Sequence, residues 1–233
     1  MTKGGARASG RADVGILMLE TKFPRIRGDI GNPETWSFPV RYRVVRGASP
    51  DLIVRRGAPG MLDPFVEAGR ELVADGAHLI STSCGFLAPF RNDLAAALGV
   101  PVAASALEQA ASIQAMLPPE RKVGILTISA ETLTPAHLTA AGVPPGTPVA
   151  GVPAGCEFQR VILGDEAKLD TAEAERDIVD AARALQADHP TLGAILFECT
   201  NMPPYKAAVA AATGLPVFSI ETYLNWMVSA MHR

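Results

Sequence analysis

The stretch Val14-Gly15-Ile16-Leu17 recurs in the second half of the chain as Val123-Gly124-Ile125-Leu126. Two cysteines repeat in the same order, because Cys84 and Cys199 are each followed, fifteen residues later, by the motif Gly-x-Pro-Val. These segments share both order and spacing, which independent turns and strands would not be expected to do. We therefore interpret the chain as a duplication of one structural unit.

Short apolar runs alternate with helical patterns in both halves. Residues 14–20, 79–83, 123–129 and 194–198 are nearly continuous apolar runs, typical of strands that are covered on both faces. Asp170-Thr171-Ala172-Glu173 resembles a capping box and predicts the start of a helix. Alternating strands and helices predict parallel sheets, and the duplication predicts two of them. The expected fold class is α/β, with two pseudo-symmetric doubly wound lobes and the active site in the cleft between them.

The order of the repeated segments also predicts the domain boundaries. Residues 1–12 are rich in glycine and are expected to form a flexible tail. The first lobe is expected to comprise residues 13–105 together with 215–233, and the second lobe residues 106–214.

Composition and charge exclude several classes of protein. Of the 233 residues, 48% are apolar, which predicts a substantial core, and 21 basic against 24 acidic side chains give a net charge of −3. No basic face is evident, so nucleic acid is not an expected partner. The longest uncharged stretch, residues 132–156, contains five prolines, so no membrane span is expected. Three cysteines make a poor disulfide framework, and a cytoplasmic location is the expectation.

Both repeated cysteines follow a predicted strand directly. In open parallel sheets the reactive crevice lies beyond the carboxyl ends of the strands, so the Cys84 and Cys199 thiols are expected to meet across one cleft if the lobes face each other. One thiolate would then remove a proton from a carbon, and the opposed thiol would return a proton to the other face. Cys156 has no counterpart in the first half, and we treat it as incidental.

The surroundings of the two cysteines predict how the site binds its ligand. An ordinary thiol has a pKa of about 8.5, and a helix N-terminus after each cysteine is expected to lower that pKa. Polar groups beside the thiols are expected to bind a small carboxylate substrate, as is an asparagine in the turn-rich segment 28–33. These candidates are Ser83, Gly85, Thr200, Asn201 and Asn32. No further Cys or His lies at metal-ligand spacing and no nucleotide-binding motif occurs, so neither metal nor cofactor is expected.

Ser83-Cys84-Gly85 and Glu198-Cys199-Thr200-Asn201, placed in duplicated halves, resemble the aspartate/glutamate/hydantoin racemase superfamily. The resemblance implies two lobes, no cofactor, a pair of cysteines acting as acid and base, and site contributions from Thr127 and Ser129. It predicts a cofactor-independent racemase or epimerase that inverts the α-carbon of a small carboxylate, such as an amino acid or a hydantoin.

Departures from the family pattern leave other functions open. Glutamate racemases carry Cys-Asn-Thr where this chain has Cys84-Gly85-Phe86, and Cys-Thr-His where it has Cys199-Thr200-Asn201. Glutamate is therefore a doubtful substrate. A maleate cis–trans isomerase, an arylmalonate decarboxylase-like enzyme and a non-catalytic protein that binds small carboxylates remain alternatives. The sequence leaves the oligomeric state open, with a homodimer as the expected form if the chain associates.

Overall fold

The computed structural model describes residues 13–231. It contains two four-stranded sheets in which every strand pair is parallel. The predicted tail, residues 1–12, lies outside the described residues. In the first sheet the order is β2-β1-β3-β4, and in the second it is β6-β5-β7-β8. The strands are β1 (Val14–Leu19), β2 (Val40–Val45), β3 (Leu79–Thr82), β4 (Val102–Ala103), β5 (Lys122–Thr127), β6 (Val149–Gly151), β7 (Leu192–Phe197) and β8 (Val217–Phe218).

The matching strand order confirms the predicted fold class of two α/β units with parallel sheets. β1 and β5, which carry the repeated Val-Gly-Ile-Leu sequence, occupy equivalent inner positions. All six residues of β1 are buried, as expected for a strand that is covered on both faces. β2 lies at the edge of its sheet, where Val44 is 51% exposed.

Helices connect and cover the strands. They are α1 (Leu62–Ala74), α2 (Arg91–Leu98), α3 (Ala110–Met116), α4 (Pro135–Ala140), α5 (Glu157–Gly164), α6 (Thr171–Asp188), α7 (Lys206–Thr213) and α8 (Ile220–Ala230). Short 3-10 segments cover Pro33–Thr35, Gly85–Phe90, Ala106–Gln109 and Pro203–Tyr205, and a π-helix covers Asp51–Arg55. No helix within residues 13–231 is long and apolar enough to cross a membrane.

Local sequence explains where several helices begin and end. The Asp170 carboxylate accepts hydrogen bonds from the amides of Ala172 and Glu173, which confirms the predicted start of α6. The two Gly-x-Pro-Val motifs begin at Gly99 and Gly214, which end α2 and α7 in the left-handed conformation at φ values of 67° and 69°. The duplication therefore extends to the helix termini.

The last strand departs from the predicted lobe boundary. β8 pairs with β7, so residues 217–218 belong to the second sheet, whereas the sequence assigned residues 215–233 to the first lobe. Helix α8 and the residue before it contact the 3-10 segment Ala106–Gln109. Gln109 Nε2 donates to the Ser219 carbonyl at 2.9 Å, and the Tyr223 hydroxyl donates to Glu108 at 3.1 Å. The pairing of β8 with β7 matches that of β4 with β3 in the first sheet, so the strand follows the duplication rather than the predicted boundary.

The repeated glycines allow a matched test of packing. A Cβ at Gly15 would lie 3.0 Å from Ala77 Cβ and 3.1 Å from Leu72 Cβ, atoms that cannot rotate away. At Gly124 the nearest atoms are the methyl ends of Leu192 and Leu185. We expect Gly15→Ala to lower the free energy of unfolding by about 1–3 kcal/mol and Gly124→Ala to cost less, measured by urea denaturation. An equal cost at both positions would contradict this packing.

Candidate active site

Both repeated cysteines line one small cavity at the carboxyl ends of β3 and β7. Cys84 and Cys199 are 8% and 7% exposed. Four of the residues predicted to bind substrate share this cavity, namely Ser83, Gly85, Thr200 and Asn201. The Thr200 hydroxyl donates to the Ser83 carbonyl at 2.7 Å, which ties the two cysteine segments directly together.

Three other predicted residues do not line this cavity. Thr127 is buried behind it and donates a hydrogen bond to Glu198. Ser129 lies beyond the end of β5, where its carbonyl accepts from Leu133. Asn32 caps the 3-10 segment that follows it, accepting from the Glu34 amide at 2.8 Å. Ser129 and Asn32 therefore lie outside the cavity wall, where the Ser129 carbonyl and the Asn32 side chain make local turn hydrogen bonds, and their contact with substrate stays a prediction.

Each thiol sulfur accepts a hydrogen bond from the backbone amide two residues further on. The donors are the Phe86 amide for Cys84 and the Asn201 amide for Cys199. The Cys199 thiol also donates to Asn201 Oδ1 at 3.6 Å. The two cysteines therefore occupy equivalent positions in the repeat, but within residues 13–231 only Cys199 has a side-chain acceptor for its proton.

Burial raises the pKa of both thiols. The nearby Glu198 carboxyl raises both values further, whereas the amide hydrogen bonds act in the opposite direction. Arg25 lowers the pKa of Cys84, and Asp29 raises that of Cys199. The prediction that the pKa of these thiols is lowered is therefore wrong. α2 and α7 begin only at Arg91 and Lys206, seven residues after each cysteine, so neither thiol lies at an α-helix N-terminus and desolvation dominates.

Glu198 is a site residue that sequence reasoning missed. Its side chain is 1% exposed and lines the cavity, and burial raises its pKa to about 7. Thr127 Oγ1 donates to Oε2 at 2.7 Å, and Oε1 has no hydrogen-bond partner among the described residues. The available signal was an acidic residue at the end of an otherwise apolar run, at the position that Ser83 occupies in the first half.

Glycine at position 85 allows Glu198 to approach the first cysteine segment. A Cβ at Gly85 would lie 2.3 Å from Glu198 Oε1 and 2.7 Å from the Glu198 carbonyl oxygen. Real Cβ atoms do not make contacts this short. Gly85 was predicted to contact substrate, and the structure adds that no side chain fits there without moving the Glu198 backbone.

A buried ion pair supports the Cys199 side of the cavity. Asp29 is 2% exposed, and it accepts hydrogen bonds from Arg25 Nη1 at 3.0 Å and from Asn201 Nδ2 at 2.6 Å. Because Asp29 holds the amide nitrogen, Asn201 presents its oxygen to Cys199. Sequence reasoning selected this turn-rich segment through Asn32, but the side chain that reaches the site is Asp29.

Apolar side chains close the remainder of the cavity. Val54 lies in the π-helix, and Pro50 directly precedes it. Ile162 and Leu163 come from α5, and the Phe23 side chain completes this wall. The volume is about 20 Å³, which accommodates roughly one water molecule. A larger ligand therefore requires these walls to separate. Within residues 13–231, no group of three or more acidic, histidine or cysteine side chains is arranged to hold a metal ion.

Comparisons with known proteins identify relatives of this architecture. No protein-family model matches the chain. A dimethylsulfoniopropionate lyase from Durusdinium sp. clade D is 32% identical over 216 residues, covering 89% of this chain and 71% of that protein. The names of the relatives support the expectation that the chain is an enzyme. They do not confirm the predicted isomerase activity.

Solved structures share the fold at lower sequence identity. Unliganded arylmalonate decarboxylase has a TM-score of 0.59 at 18% identity and covers 95% of this chain and 92% of its own. Allantoin racemase from Pseudomonas fluorescens has a TM-score of 0.54 at 16% identity, covering 94% and 90%. The fold is thus that of the aspartate/glutamate/hydantoin racemase superfamily, and by its sequence the chain belongs to the dimethylsulfoniopropionate lyase family.

Proposed function

We propose that this chain is a lyase that cleaves dimethylsulfoniopropionate, in which a dimethylsulfonium group is joined through two methylene carbons to a carboxylate. The observation that carries the proposal is the pair of buried thiols in one cavity of a chain that is 32% identical to a lyase of that name. The carboxylate makes the neighbouring C–H bond acidic, and the sulfonium is a good leaving group on the next carbon. A single positioned base is sufficient to start the elimination.

The proposed reaction balances without a cofactor. A thiolate removes a proton from the carbon next to the carboxylate, and the electron pair of that C–H bond forms a carbon–carbon double bond. The carbon–sulfur bond breaks, and its electron pair leaves with the sulfur. The products are dimethyl sulfide and acrylate, and the proton remains on the cysteine until solvent removes it.

Electrostatics favour Cys84 as the base. Arg25 lowers the pKa of the Cys84 thiol, whereas Asp29 raises that of Cys199. The Asn201 side-chain oxygen accepts the proton of Cys199 and so stabilises its neutral form. In the proposed mechanism Cys84 takes the proton and Cys199 stays protonated. Ser83, Gly85, Thr200 and Asn201 remain the proposed contacts for the substrate carboxylate.

Racemisation remains the second candidate because the two thiols occupy equivalent positions and each accepts one backbone amide. A two-base racemase needs both thiols to invert a carbon centre, whereas the elimination needs one. Deuterium from D₂O entering the α-carbon of an amino acid or hydantoin, with inversion, would support the racemase. Release of dimethyl sulfide without such exchange would support the lyase.

Replacing each cysteine separates the two candidates. We expect Cys84→Ala to lower kcat/KM for dimethylsulfoniopropionate by about 10²- to 10⁴-fold, because it removes the proposed base. Cys199→Ala should cause a smaller loss. Gas chromatography of released dimethyl sulfide measures both variants.

Cys156→Ala is the control for the cysteine variants. Cys156 precedes α5 and does not line the cavity, so this variant should retain wild-type activity. A Cys84→Ala enzyme that keeps a near wild-type rate would exclude Cys84 as the base. Equal and complete losses at both cysteines would instead indicate that both thiols transfer protons.

The raised thiol pKa predicts the pH profile. Below the pKa of Cys84 the thiolate fraction falls tenfold for each pH unit, so kcat/KM should rise with pH and continue past the ordinary thiol value of about 8.5. Initial rates from pH 7 to 9.5, corrected for cleavage of the substrate by alkali alone, measure this profile. A plateau below pH 8 would show that the free enzyme lowers the thiol pKa.

A further inference from the structure

Glu198 is a buried acid that lacks a cationic partner. Burial and the Thr127 hydrogen bond are the two influences that shift its pKa, and no basic side chain contributes. The nearby Arg25 guanidinium is paired with Asp29 at 3.0 Å. A buried carboxylate without a counter-ion is costly, and the chain retains one in the wall of its cavity.

The same cavity has apolar surfaces suited to methyl groups. Phe86 lines it, and its ring makes an edge contact to His137 at 5.2 Å between centroids. Phe23 also lines the cavity, but the Arg25 guanidinium already lies over its ring, 4.5 Å from the centroid. Onium cations with methyl substituents bind where aromatic or apolar walls surround a negative charge. A carboxylate with a free oxygen beside such walls has the chemistry of an onium site.

The repeat shows that this acid is specific to one side of the cavity. Ser83 and Glu198 each precede a cysteine, and each follows an inner strand of its sheet. The Ser83 hydroxyl accepts a hydrogen bond from the Leu19 amide at 2.8 Å, so that side carries a satisfied neutral group. Only the second half presents a negative charge at this position.

We propose that Glu198 binds the dimethylsulfonium cation of the substrate through its unpartnered Oε1, with the methyl groups against Phe86. This assignment rests on the proposed lyase function and goes beyond it by naming the group that selects a cationic substrate. Glu198 also raises the pKa of both thiols and so opposes their ionisation. A bound cation offsets that charge, so substrate binding itself favours the thiolate.

Two ligands of the same shape test the charge alone. 3-(Trimethylammonio)propanoate carries a cation that eliminates poorly, and 4,4-dimethylpentanoate replaces its nitrogen with carbon. Titration calorimetry with the full-length chain at pH 8 should show that the wild type prefers the cationic ligand. Glu198→Gln should lower this preference, the ratio of the two dissociation constants, by about 10- to 100-fold, because the carboxylate that both ligands carry cancels in the ratio.

Glu108→Gln is the matched control. Glu108 is also a buried glutamate whose pKa burial raises to about 7, but it binds Tyr223 and does not line the cavity. This variant should keep the preference for the cationic ligand. If it loses the preference as Glu198→Gln does, the effect comes from removing any buried carboxyl, and the assignment is overturned.

The pH dependence of the wild type provides a measurement that needs no variant. Protonation of Glu198 removes its charge, so the preference for the cation should decline as pH falls through about 7. The thiols of Cys84 and Cys199, which also line the cavity, have pKa values raised above this range. Burial lowers the pKa of His137, and Arg25 and Asp29 are ion-paired with each other at 3.0 Å.

The outcomes separate this inference from the proposed function. Turnover of dimethylsulfoniopropionate with a cation preference that survives in Glu198→Gln overturns the inference alone. A wild type that releases no dimethyl sulfide but shows a Glu198-dependent preference overturns the lyase and leaves a cation site. No binding of the cationic ligand to the wild type, or equal binding of both ligands, also overturns the inference.

Discussion

The close approach of residues 83–85 to residues 198–200 is the constraint on which the site depends. The Thr200 hydroxyl bonds the Ser83 carbonyl at 2.7 Å, and the absence of a side chain at Gly85 lets Glu198 pack against it. These contacts place the ends of β3 and β7 side by side, so their two cysteines share one cavity. They also leave a cavity with room for about one water molecule. The resulting desolvation is the main cause of the raised pKa values of Cys84, Cys199 and Glu198.

Desolvation explains why neither thiol ionises readily. Ionising a thiol there would add a second negative charge beside Glu198 in a cavity that holds about one water molecule. A zwitterionic ligand changes this balance, because it brings a positive charge into the same volume and requires the walls from the π-helix and α5 to part. In the proposed mechanism, thiol ionisation is thus coupled to ligand entry. A nucleophilic thiolate does not form while the cavity walls are in contact.

The sequence predicted the fold more completely than the site. Periodic apolar runs and the repeated Val-Gly-Ile-Leu segment identify strands from local information, and strand ends locate Cys84 and Cys199 without knowledge of tertiary contacts. The burial of Glu198 and the hydrogen bond from Asn201 to Asp29 depend on contacts between distant segments, which no local pattern encodes. Asn32 illustrates the opposite outcome. It was predicted to bind substrate, but its side-chain oxygen accepts a hydrogen bond from the Glu34 amide in its own turn.

Divergence within the duplication explains how a symmetric framework could support the proposed elimination, which is directional. An exact repeat would present similar groups to both faces of a bound carbon, as inversion of a stereocentre requires. Here the residue before the cysteine is Ser83 in one half and Glu198 in the other, and the thiol neighbours differ in charge through Arg25 and Asp29. An elimination needs a base at one carbon and a site for a cationic leaving group at the next. Asymmetry in charge, on a scaffold that keeps both thiols, meets that requirement.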